Sequence, residues 1–553
     1  MRSIDRILLA SAASLIGLPA AQAADLPVKK AAPVEYVRVC STYGAGFFYI
    51  PGTDTCLRLS GRTRFEYGYQ ASYSRAPGTT AAGPGDYSGY RGLARINLDA
   101  RTKTDYGTLR AFLRLEAASR TGIPTIHSGT QTRIANAFPA LGADGFGRVQ
   151  QYFNTDKAFI QFAGFTAGRA SSFYDFYAHD FEIIASSLSS DVASTNLAAY
   201  TATLGNGFSA TISMEDPSFR RTPLFSAQTA AVAAAATGNS SVALYAQTNA
   251  LTPLFVGYSA AGVPTGVGFV DMIERNRLPD FVGVLRYDQP WGSAQLSAAV
   301  HELNVGSTAL GTFVGTNLGT AASNTNLRAT GRTPSEYGWA VQGGLKINLP
   351  FIAPGDTLYL QGSYAEGAGM YTGVTAYMGS YAGSASSIQG SAFSQFFNDA
   401  TLNPFTNRLE LSTTFSAVAS LLHYWNPTLR SALFGSYGEV TFAQGARAAQ
   451  GAYYSLTTTG PGTPGTRFFD LSQTLRDSYR FVVGGSLIWS PVKDLDIGAE
   501  AIYTKFGVQN GRVLDLSRFP GQNAAYVNNL ANPVFTTTSV DVIQVRARVQ
   551  RDF

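Results

Sequence analysis

Charge is scarce in this chain of 553 residues. Only 14% of the residues are charged, whereas an ordinary soluble domain carries roughly 25%. No run of about 18 consecutive apolar residues occurs either, so the sequence predicts no transmembrane helix. A chain too poor in charge for a soluble protein and too polar for a helical membrane protein is typical of a transmembrane β-barrel, in which apolar and polar surfaces alternate without a large core.

Cysteine and histidine are also rare. Two cysteines exclude a cysteine-rich zinc module and a disulfide-dense scaffold. No nucleophile elbow, His-Glu-x-x-His or P-loop motif occurs, so we expect no enzyme, no cofactor and no metal site. A serine–histidine hydrolase built on a barrel is the alternative, but the motifs for it are absent. The arginines are scattered instead of clustered, which argues against a nucleic-acid partner.

The N-terminus has the features of a secretory signal peptide. Two arginines precede an apolar run over residues 7–19, and Ala21-Gln22-Ala23 forms an A-x-A cleavage site. We therefore expect a signal peptide over residues 1–23, cleaved between Ala23 and Ala24, and an exported mature chain.

The two cysteines follow closely after this segment. Because cysteines usually pair in an oxidising compartment, we expect a disulfide between Cys40 and Cys56, with two free thiols as the alternative. The sequence thus divides into the signal peptide 1–23, a periplasmic N-terminal segment 24–56 with the disulfide loop, and a barrel over 57–553.

The remaining chain alternates apolar and polar residues with a period of two, the pattern of half-buried β-strands. About sixteen antiparallel strands are predicted, near 57–70, 89–103, 107–120, 152–163, 165–175, 196–204, 207–216, 280–290, 293–303, 336–348, 356–367, 408–425, 428–442, 478–490, 494–506 and 538–553. Short turns alternate with long links, which indicates short periplasmic turns and long external loops. The longest link, 217–279, contains an alanine-rich tract at 230–236 to which we assign no structure.

One predicted strand has the length needed to cross a membrane. In residues 478–490 the apolar face begins with Tyr479 and ends with Trp489. At about 3.3 Å per residue and a tilt near 40°, this separation corresponds to roughly 25 Å, the height of the apolar band between two aromatic girdles.

The polar faces of the first predicted strands carry many basic residues, which a wet lumen tolerates and a buried core does not. These residues are Arg62, Arg64, Arg95, Arg101, Arg110, Arg114 and Lys157. The segment 171–195, the third long loop, holds four acids and no base: Asp175, Asp180, Glu182 and Asp191. Either the two groups face each other across a constriction, or a solvated acidic loop lies beside ordinary lumen charges.

The two ends of the mature chain carry distinctive motifs. Near the start stand Val37-Arg38-Val39-Cys40, Gly44-Ala45-Gly46-Phe47-Phe48-Tyr49-Ile50-Pro51-Gly52 and Cys56-Leu57-Arg58-Leu59-Ser60-Gly61. The last strand alternates and ends in Phe553, like the C-terminal signal that the assembly machinery of outer-membrane barrels reads, although Arg551 stands where an apolar residue is usual. Together these motifs resemble the alphaproteobacterial general porins.

The resemblance implies a function and partners. It implies a sixteen-stranded barrel in the outer membrane of a Gram-negative bacterium, a homotrimer, and a third loop folded into the lumen as the constriction. The expected function is passive diffusion of ions and small hydrophilic solutes; a substrate-specific channel or a structural or adhesive surface barrel are the alternatives. Expected partners are outer-membrane lipid and lipopolysaccharide, and the barrel assembly machinery through the C-terminal strand.

Overall fold

A computed structural model gives the architecture for most of the chain. It describes residues 38–70, 87–122, 149–190, 194–222, 224, 251–258, 264–271, 274–305, 308–311, 328–329, 335–374, 398–403, 405–448, 465–472, 475–515, 518–519 and 521–553. The predicted cleavage site at Ala23 and Ala24, the acid Asp191 and the alanine-rich tract lie outside these residues.

Sixteen antiparallel strands of the described chain close into a barrel. They are β1 (Thr55–Gln70), β2 (Ser88–Thr104), β3 (Gly107–Gly122), β4 (Val149–Phe162), β5 (Phe165–Ala170), β6 (Thr195–Gly205), β7 (Phe208–Glu215), β8 (Asp280–Gln289), β9 (Gly292–Asn304), β10 (Ser335–Asn348), β11 (Thr357–Glu366), β12 (Thr413–Asn426), β13 (Leu429–Thr441), β14 (Ser478–Val492), β15 (Leu495–Val508) and β16 (Ser539–Asp552). Each strand pairs with its neighbours in sequence, and β1 pairs with β16. The predicted fold is therefore confirmed.

The period-two pattern separates the two faces of the wall. In β14 the outward residues Phe481 and Trp489 are 38% and 50% exposed, whereas the inward Val482 is fully buried. The turns that join the strands at one end are tight. In the turn between β6 and β7, Gly207 has a φ of +85°, and a Cβ there would overlap the carbonyl oxygen of Asp288. Only glycine fits that position without strain.

Two predicted strand ends differ from the structure. Strand β5 ends at Ala170, because the chain leaves the wall there and enters the lumen. The predicted strand 408–425 begins only at Thr413, since Arg408–Leu411 pairs with Ala400–Asn403 in a separate hairpin. The leucines of that hairpin pack against Leu303 at the end of β9, so tertiary packing overrides the continuous alternation.

The long links contain further short elements. A four-stranded sheet consists of Leu251–Tyr258, Pro264–Asp271, Thr308–Gly311 and Arg328–Ala329, and a two-stranded one of Val513–Leu514 and Thr536–Thr537. A short strand, Phe47–Tyr49, pairs with β1. The short helices include Ser41–Tyr43, Pro217–Phe219, Gly369–Thr372, Arg467–Ser472 and Ala524–Asn528. Within the described chain, no helix is both long and apolar enough to cross a bilayer.

Candidate functional site

The first four strands present a charged wall to the lumen. All six arginines predicted for this wall lie on inward-facing positions, and every one of them has a polar partner. The pairs are Arg62–Asp552, Arg64–Gln550, Arg95–Glu116, Arg101–Asp99, Arg110–Asp99 and Arg114–Asp156. The structure therefore brings these residues together as a mixed wall of ion pairs with an excess of cations, and not as a purely basic surface. We call this set, with Lys157, the charged wall.

Lys157 joins the wall through an irregularity in β4. The register between β3 and β4 shifts at Arg114 and Leu115, so that Arg114 lies opposite Lys157 and Leu115 opposite Thr155. This bulge turns Lys157 toward the first residue of the next loop, and its ammonium donates a hydrogen bond to Ser171.

Residues 171–190, here called the inner loop, lie against the inside of the barrel. The carbonyl of Tyr174 accepts hydrogen bonds from Ser297 on β9 (3.0 Å) and Gln342 on β10 (2.9 Å). Further along, the backbone N–H of Tyr177 donates to Gln361 on β11 (3.0 Å). The loop thus follows the strand order across the inner wall.

The tip of the inner loop reaches β15. The two carboxylate oxygens of Glu500 accept hydrogen bonds from the backbone N–H groups of Ile183 and Ile184, both at 2.7 Å. On the way back, the N–H of Leu188 donates to Ser436 on β13 (3.0 Å). These contacts hold the loop on the wall formed by β9 to β15, which the sequence could not indicate because the partners lie hundreds of residues away.

The acids of the inner loop have different environments. Asp175 forms an ion pair with Arg220, which follows β7 (2.8 Å), and both side chains are nearly inaccessible. Glu182 is buried and accepts hydrogen bonds from the Tyr177 hydroxyl (2.9 Å) and from the N–H of Ser186 (2.8 Å). Asp180 is exposed, and it accepts a hydrogen bond from the hydroxyl of Tyr359 (3.1 Å). Among these three acids, only Asp180 offers its charge to water in the lumen.

Burial and neighbouring charges shift the pKa values of the groups that hold the loop. Burial raises the pKa of Tyr177 well above its ordinary value, and the neighbouring Glu182 carboxylate raises it further, so the hydroxyl remains a donor. Burial lowers the pKa of Arg220, but the nearby carboxylates, Asp175 first, outweigh it, so the pKa lies above its ordinary value. Both groups therefore keep the protonation state that their partners need over the physiological pH range.

An aromatic cluster that the sequence reasoning did not identify lies beside Asp180. Tyr359 on β11 is buried, and the rings of Phe176 and Phe181 meet it edge-on, with centroids 5.6 Å and 5.3 Å away. The Lys346 ammonium lies 5.4 Å from the Tyr359 ring centroid, and the Arg286 guanidinium lies 5.7 Å from that of Phe176. The aromatic run in residues 173–181 was the only sequence signal for this cluster.

The N-terminal segment closes on the turn side of the lumen. Cys40 and Cys56 form a disulfide, as predicted. The rings of Tyr43 and Phe47 lie under the guanidinium of Arg101, at 5.7 Å and 4.9 Å from its central carbon. The described part of the chain contains no group of three side chains arranged to hold a metal ion.

The last residue completes the barrel seam. The backbone of Phe553 exchanges hydrogen bonds with Gly61 on β1, at 2.8 Å and 3.1 Å. A Cβ at residue 61 would overlap the Phe553 ring, so the glycine leaves space for it. The ring is 62% exposed on the outside of the barrel.

Comparisons with known proteins agree on one family. A family model described as "Porin subfamily" matches residues 25–530. The curated relatives include the porin Omp2b of Brucella suis biovar 1 (strain 1330), 37% identical over 219 residues that cover 38% of this chain and 54% of the relative. The corresponding Brucella canis protein is 36% identical over the same shares. The chain thus spans about half the length of the curated relatives it matches.

Solved structures match this chain at low identity and with TM-scores below 0.5. The outer membrane channel DcaP of Acinetobacter baumannii is 11% identical, with a TM-score of 0.46 over 91% of this chain and 99% of that one. The anion-selective porin from Comamonas acidovorans is also 11% identical, with a TM-score of 0.38 over 90% of this chain and 100% of that one.

Proposed function

Because this chain belongs to the porin subfamily, we propose that it forms a water-filled channel in the outer membrane for passive diffusion of ions and small hydrophilic solutes. The observation that carries the proposal is the charged wall. Its arginine side chains remain 17–28% exposed at Arg62, Arg95, Arg101, Arg110 and Arg114, although they face the inside of a barrel. Charges of this density are stable inside a barrel when water fills it, and sixteen strands leave room for water.

The same observations indicate where the lumen is narrowest. The inner loop thickens the wall from β9 to β15, so the free cross-section lies between that loop and the charged wall. The residues that we propose for the two sides are Arg62, Arg64, Arg95, Arg101, Arg110, Arg114 and Lys157 on the wall, and Asp175, Asp180 and Glu182 on the loop. Asp180, the exposed acid, is the loop residue that contributes most to the field acting on a passing ion.

A planar lipid bilayer tests the proposed function. Purified protein should give large, ohmic conductance steps in KCl, because an open aqueous lumen has no saturable site for small ions. A channel specific for one substrate would instead saturate, and an adhesive barrel with a plugged lumen would give no steps. Absence of steps from protein that migrates as a folded, heat-modifiable barrel would refute the proposal.

Ion selectivity tests the proposed constriction separately. In a KCl gradient, replacing Arg95 and Arg110 by Gln should shift the reversal potential toward cations, and Asp180→Asn should shift it toward anions, because fixed charges act strongly where water is restricted. Asp541→Asn changes an exposed aspartate on the outer face of β16 and serves as the matched control. If none of the lumen variants moves the reversal potential at normal conductance, the constriction lies elsewhere.

We also propose that the channel is a homotrimer in contact with lipid and lipopolysaccharide, exported by a signal peptide ending at Ala23. Trimer formation is supported by the family alone. N-terminal sequencing of the mature protein should begin at Ala24, and native electrophoresis should show three copies that dissociate on heating. A mature chain that begins at Met1, or a monomer under native conditions, would contradict the corresponding proposal.

A further inference from the structure

We propose that the aromatic cluster of the inner loop is a retention site for aromatic carboxylates passing through the lumen. The proposal rests on the channel function above and names a class of solute that the channel would favour. The site consists of Phe176, Phe181 and Tyr359, with Lys346 and Arg286 as its cations.

Part of the water-facing side of the inner loop is apolar. Phe176 and Phe181 are half-buried, and Ala178 between them is exposed. In a lumen whose opposite wall carries ion pairs, half-exposed phenyl rings leave apolar surface in contact with water, and an aromatic solute gains by covering it.

Contacts with the barrel wall fix the position of the rings. Gly344 faces inward on β10, and a Cβ at this residue would overlap the ring of Phe176. The phenyl ring of Phe176 therefore packs directly on the backbone of the wall at Gly344. Tyr359 supports both phenyl rings edge-on, and its hydroxyl is held by Asp180. The rings are thus set in place before a solute arrives, which lowers the entropic cost of binding.

Two cations stand next to these rings. The ammonium of Lys346 has no carboxylate within ion-pair distance among the residues that the structure places, and it lies over the Tyr359 ring. The Nε of Arg286 donates a hydrogen bond to the carboxylate of Asp288 (2.9 Å), and its Nη1 donates one to the side-chain oxygen of Gln295 (3.3 Å). The Arg286 side chain is 41% exposed. A carboxylate attached to a flat ring would pair with Lys346 while the ring covers Phe176 or Phe181.

The charges nearby define the class further. Asp180 lies on the hydroxyl side of Tyr359, whereas Lys346 lies over the ring. Asp288 is already paired with Arg286, so of the two cations beside the rings Lys346 is the one without a carboxylate partner among the described residues. This favours an aromatic monoanion over an aromatic cation, and a ring-bearing acid over an aliphatic one of similar charge.

Single-channel recording with benzoate tests the proposal. Benzoate should reduce the open-channel current of the wild-type protein in a concentration-dependent, saturable manner, whereas acetate and benzylammonium at equal concentration should not. Lys346→Met should weaken this block about tenfold, as expected for loss of one charge-assisted contact, and Phe176→Leu should weaken it as well. Lys505→Met, on the outer face of β15, is the matched control and should behave as wild type.

The outcomes separate this inference from the proposed function. Ohmic conductance in KCl without any benzoate block refutes the retention site and leaves the channel function intact. Equal block by benzylammonium and benzoate refutes the assignment of Lys346, and equal block by acetate refutes the role of the rings. A folded protein without conductance in KCl overturns both proposals.

Discussion

The tip of the inner loop depends on a single carboxylate, and this makes Glu500 the most informative residue to change. Its two oxygens accept the N–H groups of Ile183 and Ile184 at 2.7 Å, and all three residues are buried. Replacing Glu500 by Ala removes both acceptors and leaves two backbone donors without partners against the wall. Detachment of the tip from the wall then becomes more favourable in free energy, because its N–H groups can be hydrated in the lumen.

The size of the effect follows from the bonds lost. Each buried N–H left without an acceptor costs about 1–3 kcal/mol, so losing both acceptors costs the attached tip about 3 kcal/mol. A net loss of about 3 kcal/mol would raise the population of the detached tip about 100-fold. Glu500→Gln keeps one carbonyl acceptor and should lie between wild type and the alanine variant. The bonds of Tyr177 and Leu188 to the wall remain, so the rest of the loop should stay in place.

Open-channel noise measures the detachment. Since the tip lies on the wall, it can move only into the lumen, and Glu500→Ala should show frequent brief partial closures and closure at lower voltage. Glu439→Ala, which removes a glutamate from the outer face of β13, is the matched control. Quiet, wild-type recordings from a folded Glu500→Ala barrel would show that the carboxylate does not hold the loop.

Three further variants probe regions outside the proposed constriction. Replacing Cys40 and Cys56 by Ser should lower stability toward unfolding of the N-terminal segment by about 3 kcal/mol in the chain-entropy model; hydrogen exchange over residues 40–56 that matches wild type would contradict this. Burial raises the pKa of Glu274 to about 8, so between about pH 4.5 and 8 the folded state keeps a proton that the unfolded state has lost, and the free energy of unfolding falls as pH rises. Glu274→Gln should make the melting temperature less dependent on pH in this range; an unchanged slope would count against the buried acid. Deleting Phe553 should reduce the yield of heat-modifiable barrel in membranes, because the seam with Gly61 loses its terminal contacts; normal yield would argue against an assembly role.

The strands could be predicted from the sequence because each one has one face toward lipid and the other toward the lumen. A residue on the outer face meets lipid and its neighbour meets the lumen, so the alternation is repeated in every strand without reference to distant partners. Predicted and observed boundaries therefore agree within a few residues along most of the wall. Where they differ, as at Thr413, a long-range contact competes with local alternation, and the hairpin on Leu303 is an example.

The environment of the loop acids could not be predicted in the same way. The sequence showed four acids without a base nearby, but Arg220, which pairs with Asp175, lies 45 residues further along and beyond two strands. Glu182 finds its donors within its own turn, which composition does not reveal. Asp180 remains exposed because Tyr359 holds it at the edge of the aromatic cluster.

The inward faces of the strands nevertheless contain the information about which half of the lumen the loop covers. On β9 to β13 the inward residues on which the loop docks are neutral: Ser297, Gln342 and Ser436 hydrogen-bond to the loop backbone, and Gly344 lies under the Phe176 ring. From β1 to β4 many inward positions are arginines and acids that pair with each other. A loop backbone can dock on neutral amides, hydroxyls and glycines without desolvating charges, whereas docking on the charged wall would strip water from ion pairs at considerable cost. The uneven distribution of charge around the barrel therefore directs the loop to one side and leaves the other side to water and ions.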